Sequence, residues 1–176
     1  MEQKIQTIAG LRARHIAVAL DEVLLRNGRT TRRIRIDHPP AAALVPFVTD
    51  ESILMVRQFR YALGRETLEI PAGKLEPGEE PQTGIRRELL EETGYEAGSI
   101  EPLYTFAPAI GYSNELIHVF RGRELRKTIE QSDEDEINKV EIISVAELRE
   151  LIQAGRIQDG KTLLGLALTG VLLGSK

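Results

Sequence analysis

Three glutamates, Glu88, Glu91 and Glu92, lie close together in the segment GKLEPGEEPQTGIRRELLEETGY, residues 73–95. A proline suited to the first helical turn and a glycine suited to the C-cap predict a helix over residues 81–93. Glu88 and Glu92 then share one helix face, with Glu91 beside them. Carboxylates are unfavourable near a helix C-terminus, because that end carries partial negative charge. The pattern therefore indicates a compensating positive charge.

Two interpretations of this helix face are open. Arg87 can pair with Glu91, so the cluster can be a solvated face in which each like-charge pair costs about 0.2–0.5 kcal/mol. Alternatively, the carboxylates bind a divalent cation. The preceding loop, PAGKLEPGEEP, favours the cation because it combines Gly and Pro turn signals with Glu76 and Glu79. Mg²⁺ takes one or two carboxylates together with waters and substrate phosphates.

The spacing of these residues resembles the Nudix hydrolase signature. Gly73 is followed after five residues by Glu79, and after seven more by RELLEETG, residues 87–94. The next position, aliphatic in the family, is Tyr95. The resemblance implies the Nudix α/β/α sandwich with a mixed β-sheet, of the α+β class. It also implies an enzyme that hydrolyses a nucleoside diphosphate linked to a further group, with Mg²⁺ or Mn²⁺ as cofactor.

The resemblance also implies a role for each matched residue. Glu88 and Glu92 would be the main metal ligands, and Glu91 an additional one. The carbonyl oxygen of Ala72, which precedes the signature glycine, would be a further ligand. Arg87, together with the loop glutamate of the signature, would orient the helix carboxylates through salt bridges.

The flanks of the signature resemble the ADP-ribose pyrophosphatase branch of the family. The similar segments are VRQFRYALGRETLEIPAGKLEPGE, IGYSNELIHVF and DEDEINKVEIISVAELRELIQAGRI, which cover most of residues 38–165. A β-rich N-terminal piece that exchanges onto a partner subunit also belongs to that branch. The resemblance therefore implies ADP-ribose, or a related nucleoside diphosphate sugar, as the substrate.

An acidic stretch, SDEDEINKVEI, would supply the base, because hydrolysis of a diphosphate needs an activated water. In the resembled branch a loop glutamate acts as base, which implies Glu134, with Glu136 as second choice or as a ligand of a metal-bound water. A solvated acidic turn is the alternative for such a charged run. The residues predicted to take part in catalysis are Glu134, Glu136, Glu91 and Arg87.

Arg57, Arg60 and Glu69 are predicted to bind substrate. The two arginines are three positions apart, so they point to opposite faces of a strand unless the strand ends between them. One would then hold a phosphate and the other a carboxylate, although surface salt bridges explain either one equally well. Glu69 would bind the terminal ribose or pair with an arginine.

Ser113 and Glu115, in the segment SNE, are predicted to contact substrate, with a turn capped by Ser-Asn as the alternative. Phe47 and Tyr61 are expected in the core rather than stacked on adenine. The three histidines lack the spacing of metal ligands and are assigned no chemistry.

The remaining elements form a mixed order. Asn27-Gly28 predicts a two-residue β-hairpin turn, and DHPPAAA marks a boundary between a β-rich piece, residues 1–38, and a main domain, residues 39–176. A second hairpin is expected around Asp50-Glu51, and two helices close the chain. The expected fold is therefore a Nudix α/β/α sandwich preceded by a small antiparallel sheet.

Composition excludes several classes of protein. A net charge of −4 argues against general nucleic-acid binding. The absence of cysteine excludes disulfides, thiolate zinc sites and a cysteine nucleophile. No signal peptide is expected, and the apolar run TLLGLALTGVLLG is too short to span a bilayer. We expect a cytoplasmic protein with neither nucleic-acid nor membrane partners.

The expected reaction is Mg²⁺-dependent hydrolysis of ADP-ribose to AMP and ribose 5-phosphate. GDP-mannose or another nucleoside diphosphate derivative is an alternative substrate. A Nudix domain that senses a nucleotide without cleaving it is an alternative class, against which the complete carboxylate set argues. A homodimer with exchanged N-terminal strands is expected, because a three-stranded piece is too small to build its own core.

Overall fold

The computed structural model of the chain describes residues 1–128 and 137–172. It divides into two compact units. The first unit joins Met1–Pro40 with Phe106–Leu116, and the second joins Ala41–Thr105 with Ile117–Lys176. Residues 106–116, which the sequence interpretation assigned to the main domain, thus cluster with the N-terminal residues.

The first unit contains a three-stranded antiparallel sheet in the order β1-β2-β3. Its strands are β1 (Gln3–Ala13), β2 (Ile16–Leu24) and β3 (Thr30–Asp37). The hairpin predicted at Asn27-Gly28 is present, and Gly28 adopts a positive φ of 78°. The loop between the strands is longer than the two residues expected. It runs from Leu25 to Arg29 and is closed by a hydrogen bond from Leu25 N to Arg29 O at 2.8 Å.

The second unit is built on a mixed sheet in the order β10-β5-β4-β9-β8, with β6 paired to β5 and β7 paired to β4. The β4–β9 pair is parallel, whereas β4–β5, β5–β6, β4–β7 and β5–β10 are antiparallel. The strands are β4 (Ala41–Thr49), β5 (Ser52–Arg60), β6 (Arg65–Glu69), β7 (Ala72–Lys74), β8 (Tyr95–Phe106), β9 (Ile117–Lys127) and β10 (Ile137–Ser144).

Three helices belong to this unit, namely α1 (Pro81–Thr93), α2 (Val145–Gln153) and α3 (Gly160–Leu168). The helix predicted over 81–93 and the two closing helices are therefore confirmed. α1 begins with Pro81 and ends at Gly94, whose φ of 73° lies in the left-handed region that glycine tolerates. None of the helices in the described part of the chain combines the length and apolar character needed to cross a bilayer.

β4 is buried on both faces, and its alternating side chains separate two helical layers. Leu44 belongs to the cluster that contains Ile85 and Leu89 of α1. Val45 points to the other face, where a Cβ on Gly165 of α3 would lie only 2.8 Å from its Cγ2. α1 and α3 thus cover opposite faces of the sheet, which confirms the expected α/β/α layers and the α+β class.

The structure confirms one of the two aromatic core predictions and contradicts the other. Phe47 is buried, as expected. Tyr61 is 93% exposed, so its expected place in the core is wrong. The reason is local, because Tyr61 begins a 3₁₀ turn, Tyr61–Leu63, that links β5 to β6 at the end of a hairpin.

Candidate active site

The acidic face of α1 lies against β7. Glu88 packs directly on Gly73, and a Cβ at that glycine would lie 1.9 Å from the Glu88 carboxyl carbon. Any larger residue at position 73 would displace the Glu88 carboxylate from this place, which gives a reason for the glycine. Ile85 and Leu89 on the neighbouring stripe are fully buried and fix α1 on the sheet. Burial of such side chains stabilises a fold by roughly 1.5–3 kcal/mol each.

Arg87 lies at the centre of an ion-pair network on the same helix. Its Nε and Nη2 donate to the two carboxylate oxygens of Glu79, both at 3.0 Å. Its Nη1 donates to Glu88 and to Glu91, both at 2.9 Å. The hydrogen bonds from Arg87 and from the Glu76 N–H lower the pKa of Glu79. These are the contacts that the resemblance implies for Arg87, although its catalytic role stays a prediction.

We call Glu88, Glu91 and Glu92 of α1 the carboxylate ridge. Glu92 is its most enclosed member, with 9% of the residue exposed. Its Oε2 accepts a hydrogen bond from the Ala72 N–H at 3.1 Å, which ties α1 to β7. Burial raises the pKa of Glu92 to about 8, and the charge of Glu88 adds to the effect. Burial likewise raises the pKa of Glu88, against the attraction of Arg87. The surroundings of both carboxylates therefore disfavour their ionised forms.

The residues present fit a magnesium ion. Glu88 and Glu92 offer two neighbouring carboxylates, and Ala72 offers a backbone carbonyl beside them, the oxygen donors that Mg²⁺ prefers. Burial raises the pKa of both glutamates, and a cation bound between them would favour their ionised forms. Within the described ranges no three acidic or histidine side chains converge into a complete cage. Waters and substrate phosphates would have to supply the remaining ligands, as is usual for Mg²⁺.

A second buried carboxylate, Glu69, ends β6 and is 2% exposed. Arg60 binds both its oxygens, with Nε at 2.7 Å from Oε1 and Nη2 at 2.6 Å from Oε2. Thr67 donates to it at 2.6 Å, and Lys161 of α3 pairs with it as well. Burial raises the pKa of Glu69, but the bonds from Arg60 and the charge of Lys161 outweigh it and lower the pKa to about 2. Of the two alternatives for Glu69, the structure shows the arginine pair.

The other residues predicted to bind substrate, Arg57, Ser113 and Glu115, pair with residues outside the carboxylate ridge. Arg57 donates to Glu141 of β10 at 2.7 Å, so both arginines of VRQFR pair with carboxylates. In the first unit, Ser113 Oγ accepts from the Glu115 N–H at 3.2 Å, the capped turn that was the alternative there. Glu115 also lies 3.3 Å from His38 Nδ1. Contact of these residues with substrate stays a prediction.

The base was predicted in the acidic stretch SDEDEINKVEI. Glu134 and Glu136, predicted as the base and its alternate, lie outside the described residues. Their assignment therefore stays a prediction.

Sequence reasoning missed the contribution of the N-terminus of α3. Asp159 caps this helix by accepting from the Thr162 N–H at 3.0 Å, and Thr162 Oγ1 accepts from the Ile70 N–H at 3.0 Å. Lys161 stands between them in the first turn, where a cation opposes the helix dipole. A lysine in the first turn of a helix, as in DGKT, could have marked this site from the sequence. The glutamates near the C-terminus of α1 were recognised by the same argument from the helix dipole.

Comparison with known proteins decides the family. The model of the family described as NUDIX domain matches residues 37–164, which is well over half of the chain. The chain belongs to the Nudix family. The expected class of enzyme, a Nudix pyrophosphohydrolase, is confirmed by this match and by its named relatives.

Three relatives resemble this Nudix chain over most of their length. A protein of Bacillus methanolicus named methanol dehydrogenase activator is 37% identical over 94% of this chain and 90% of the relative. The ADP-ribose pyrophosphatase of Bacillus subtilis (strain 168) is 38% identical over 84% and 80%. A GDP-mannose pyrophosphatase of Salmonella paratyphi B is 34% identical over 79% and 78%.

A solved structure supports the Nudix fold independently. The crystal structure of an ADP compounds hydrolase superposes with a TM-score of 0.81 at 22% identity. The match covers 95% of this chain and 91% of the other. It therefore extends over both units and bears on the fold alone.

Proposed function

We propose that this Nudix hydrolase cleaves the pyrophosphate bond of ADP-ribose with Mg²⁺, giving AMP and ribose 5-phosphate. The observation that carries the proposal is the pair Glu88 and Glu92, two enclosed neighbouring carboxylates on one face of α1 whose pKa values are raised chiefly by burial. The choice of ADP-ribose is supported by the ADP-ribose pyrophosphatase relative, which is 38% identical over 84% of the chain.

Glu88, Glu92 and the Ala72 carbonyl would hold the metal, with Glu91 as an additional ligand. Bound there, Mg²⁺ would offset the negative charge on the oxygens of the pyrophosphate. Glu92 is held for this task by the Ala72 N–H, and Glu88 by its packing on the backbone of Gly73. The ligands thus lie on a helix and a strand that pack together, which keeps their geometry fixed.

The remaining steps would fall to other side chains. Arg87 holds Glu88 and Glu91 in place through its bonds at 2.9 Å. Arg60 is 40% exposed at its side chain and would attract a substrate phosphate, as would Arg57. Glu134 would take the proton from the attacking water, with Glu136 as its alternate. Removal of that proton is needed because neutral water is a poor nucleophile toward phosphorus.

A substrate panel tests this function. The purified protein is incubated with ADP-ribose, GDP-mannose, NADH and ATP, with and without Mg²⁺, and the products are identified by mass spectrometry. AMP and ribose 5-phosphate from ADP-ribose, formed only with Mg²⁺, is the expected result. Glu92→Gln should abolish the products, whereas Glu96→Gln, which alters an exposed glutamate of β8, should not. Tight nucleotide binding without turnover would identify a sensor instead.

GDP-mannose is the second candidate substrate. It is favoured by the relative named GDP-mannose pyrophosphatase, which is 34% identical over 79% of the chain. The same panel separates the two sugars, because cleavage of GDP-mannose gives GMP and mannose 1-phosphate. A kcat/KM at least about tenfold higher for GDP-mannose would reverse the assignment.

Action on a dehydrogenase is a candidate of another kind. It is favoured by the relative named methanol dehydrogenase activator, which matches 94% of this chain. A purified methanol dehydrogenase, assayed with and without this protein, tests it. A rate increase that survives in Glu92→Gln would show an effect independent of hydrolysis.

A homodimer that exchanges N-terminal strands is part of the proposal. β1 is exposed along its full length, and it presents Ile5, Ile8 and Leu11 to solvent. A sheet with such an exposed apolar edge is typical of an interface. Light scattering at micromolar concentration should give the mass of two chains, and Ile8→Glu should reduce it. A monomeric wild-type protein would contradict this part of the proposal.

A further inference from the structure

A buried charge cluster joins three elements beside the carboxylate ridge. We call it the Glu69 cluster, and its members are Arg60, Thr67, Glu69, Asp159 and Lys161. We propose that Lys161 is a positioning residue for substrate binding: by compensating Glu69, it leaves the positive charge of Arg60 available to an anionic group of the substrate. This inference rests on the proposed function, in which the site binds a pyrophosphate.

Lys161 stands in an unfavourable place unless it serves a partner. It lies in the first turn of α3, where the helix dipole repels a cation. Its side chain is 11% exposed, and lysines are rarely so enclosed unless they are paired. It contacts Glu69 Oε2 and lies 3.0 Å from Asp159 Oδ2. The position is therefore explained by the carboxylates it meets and by nothing in the helix itself.

The formal charges of the cluster balance only when Lys161 is counted. Glu69 is bound by Arg60 on both oxygens, and this pair alone is neutral. Asp159, the N-cap of α3, adds a second negative charge, and Glu92 also acts on Arg60. Lys161 supplies the matching positive charge on Glu69 and Asp159. Without Lys161 the surroundings of Arg60 would be more negative and would repel an anionic group.

One nitrogen of the Arg60 guanidinium, Nη1, has no hydrogen-bond partner among the described residues. Its Nε and Nη2 are both taken by Glu69, whereas its Nη1 makes no hydrogen bond with any of the residues that the structure describes. The side chain of Arg60 is 40% exposed while that of Glu69 is 2% exposed. The guanidinium is therefore held on a buried carboxylate through two nitrogens, while the side chain stays partly exposed and Nη1 is left as a donor. A bidentate pair fixes this orientation more firmly than a single bond would.

The cluster is linked to the carboxylate ridge through a short piece of backbone. Thr162 of α3 accepts from the Ile70 N–H at 3.0 Å, directly after Glu69. Two residues later, the Ala72 N–H donates to Glu92 at 3.1 Å. Residues 69–72 are thus held by α3 on one side and by α1 on the other. This connection places Arg60 near Glu88 and Glu92, the pair that would hold the metal.

The test compares three variants at Lys161. Lys161→Met should raise KM for ADP-ribose, and the dissociation constant for ADP measured calorimetrically with Mg²⁺, by about tenfold, with kcat changed less than about twofold. Lys161→Arg should restore most of the affinity because it keeps the charge. Lys161→Gln keeps a hydrogen bond to Glu69 without the charge and should behave like Lys161→Met. It also replaces that variant if Lys161→Met fails to fold.

Arg123→Met is the matched control. It removes one cation from an exposed pair with Asp50, at the end of β4 opposite to the residues that pair with β7. It should leave both constants unchanged. An equal loss of affinity in Arg123→Met and Lys161→Met would overturn the proposal, because any cation would then have the same effect.

A double-mutant cycle separates this role from a merely structural one. If Lys161 acts through Glu69, then Lys161→Met in a Glu69→Gln background should change the ADP dissociation constant by less than about twofold. The same tenfold loss in both backgrounds would show that Lys161 acts directly or through the fold, and would refute the proposal. A loss confined to kcat would refute it too.

The two proposals fail in different ways. If the wild-type protein binds ADP or inorganic pyrophosphate with Mg²⁺ but hydrolyses no ADP-ribose, the proposed function fails, and the dissociation constants still decide the role of Lys161. If the wild-type protein binds neither probe, the inference about Lys161 is overturned with it.

Discussion

Glu69 and Glu92 are both enclosed carboxylates of the same unit, and their environments are opposite. Glu69 meets Arg60, Lys161 and Thr67, and these contacts lower its pKa to about 2 despite burial. At Glu92 burial dominates and, with the like charge of Glu88, raises the pKa to about 8 against the Ala72 N–H and the charges of Lys161 and Arg60. Arg60 and Lys161 bond directly to Glu69, whereas neither forms an ion pair with Glu92 among the described residues.

The difference supports a structural role for Glu69 and is consistent with the proposed role of Glu92 as a metal ligand. A buried carboxylate is costly unless it is paired and hydrogen-bonded. Glu69 is complete within the protein, so it holds β5, β6 and α3 together. Glu92 has no such partner among the described residues, and the cation of the proposed function would supply one. Four measurements test this contrast.

Glu92→Gln should have the largest effect. We expect kcat for ADP-ribose to fall by about 10²–10⁴-fold, since the variant loses a metal ligand. Stability should change little, because glutamine resembles the protonated form that a raised pKa favours. Initial rates and thermal unfolding of the same preparations measure both quantities. Glu96→Gln is the control, and full activity in Glu92→Gln would remove the metal site from α1.

Glu69→Gln should instead reduce stability. At neutral pH the free energy of unfolding should fall by about 3 kcal/mol, since each unit by which folding lowers a pKa corresponds to ~1.4 kcal/mol. Glu69 has a folded pKa of about 2 against an ordinary value of 4.5. Its contribution is therefore complete above about pH 4.5 and is lost as the pH falls toward 2.

Chemical denaturation of the wild-type protein and Glu69→Gln at several pH values measures this. The difference between the two proteins should shrink below pH 4.5. A difference that does not depend on pH would mean that packing, rather than charge, makes Glu69 important.

Mg²⁺ should stabilise the wild-type protein, because it binds the folded ridge and not the unfolded chain. At a concentration 100 times its dissociation constant the gain is about 2.7 kcal/mol, visible as a higher Tm. Glu69→Gln should keep this gain, and Glu92→Gln should lose most of it. Equal shifts in the two variants would erase the distinction between the two carboxylates.

Glu101→Gln sets the scale for a charge that matters little. Glu101 pairs with Arg121 on the surface, and its side chain is 64% exposed. Exposed pairs of this kind contribute about 0.2–1 kcal/mol. Thermal unfolding should therefore show a shift near the limit of measurement, and a loss as large as that of Glu69→Gln would mean that burial does not decide the cost.

The sequence by itself determined the local parts of this protein. Pro81 and Gly94 set the ends of α1, and helical periodicity alone brought Glu88 and Glu92 to one face with Arg87 beside Glu91. Glycine at position 73, met by the Glu88 carboxylate, belongs to the same local pattern. These features depend on residues a few positions apart, for which backbone geometry fixes the neighbours.

Only the tertiary structure decided the partners of Glu69 and the place of Tyr61. Lys161 is 92 positions from Glu69 along the chain, and the packing of α3 on the sheet brings the two together. Tyr61 has an apolar sequence context, yet it lies at the outer end of a hairpin, where nothing covers it among the described residues. Such contacts follow from strand order and layer packing, which no local spacing encodes.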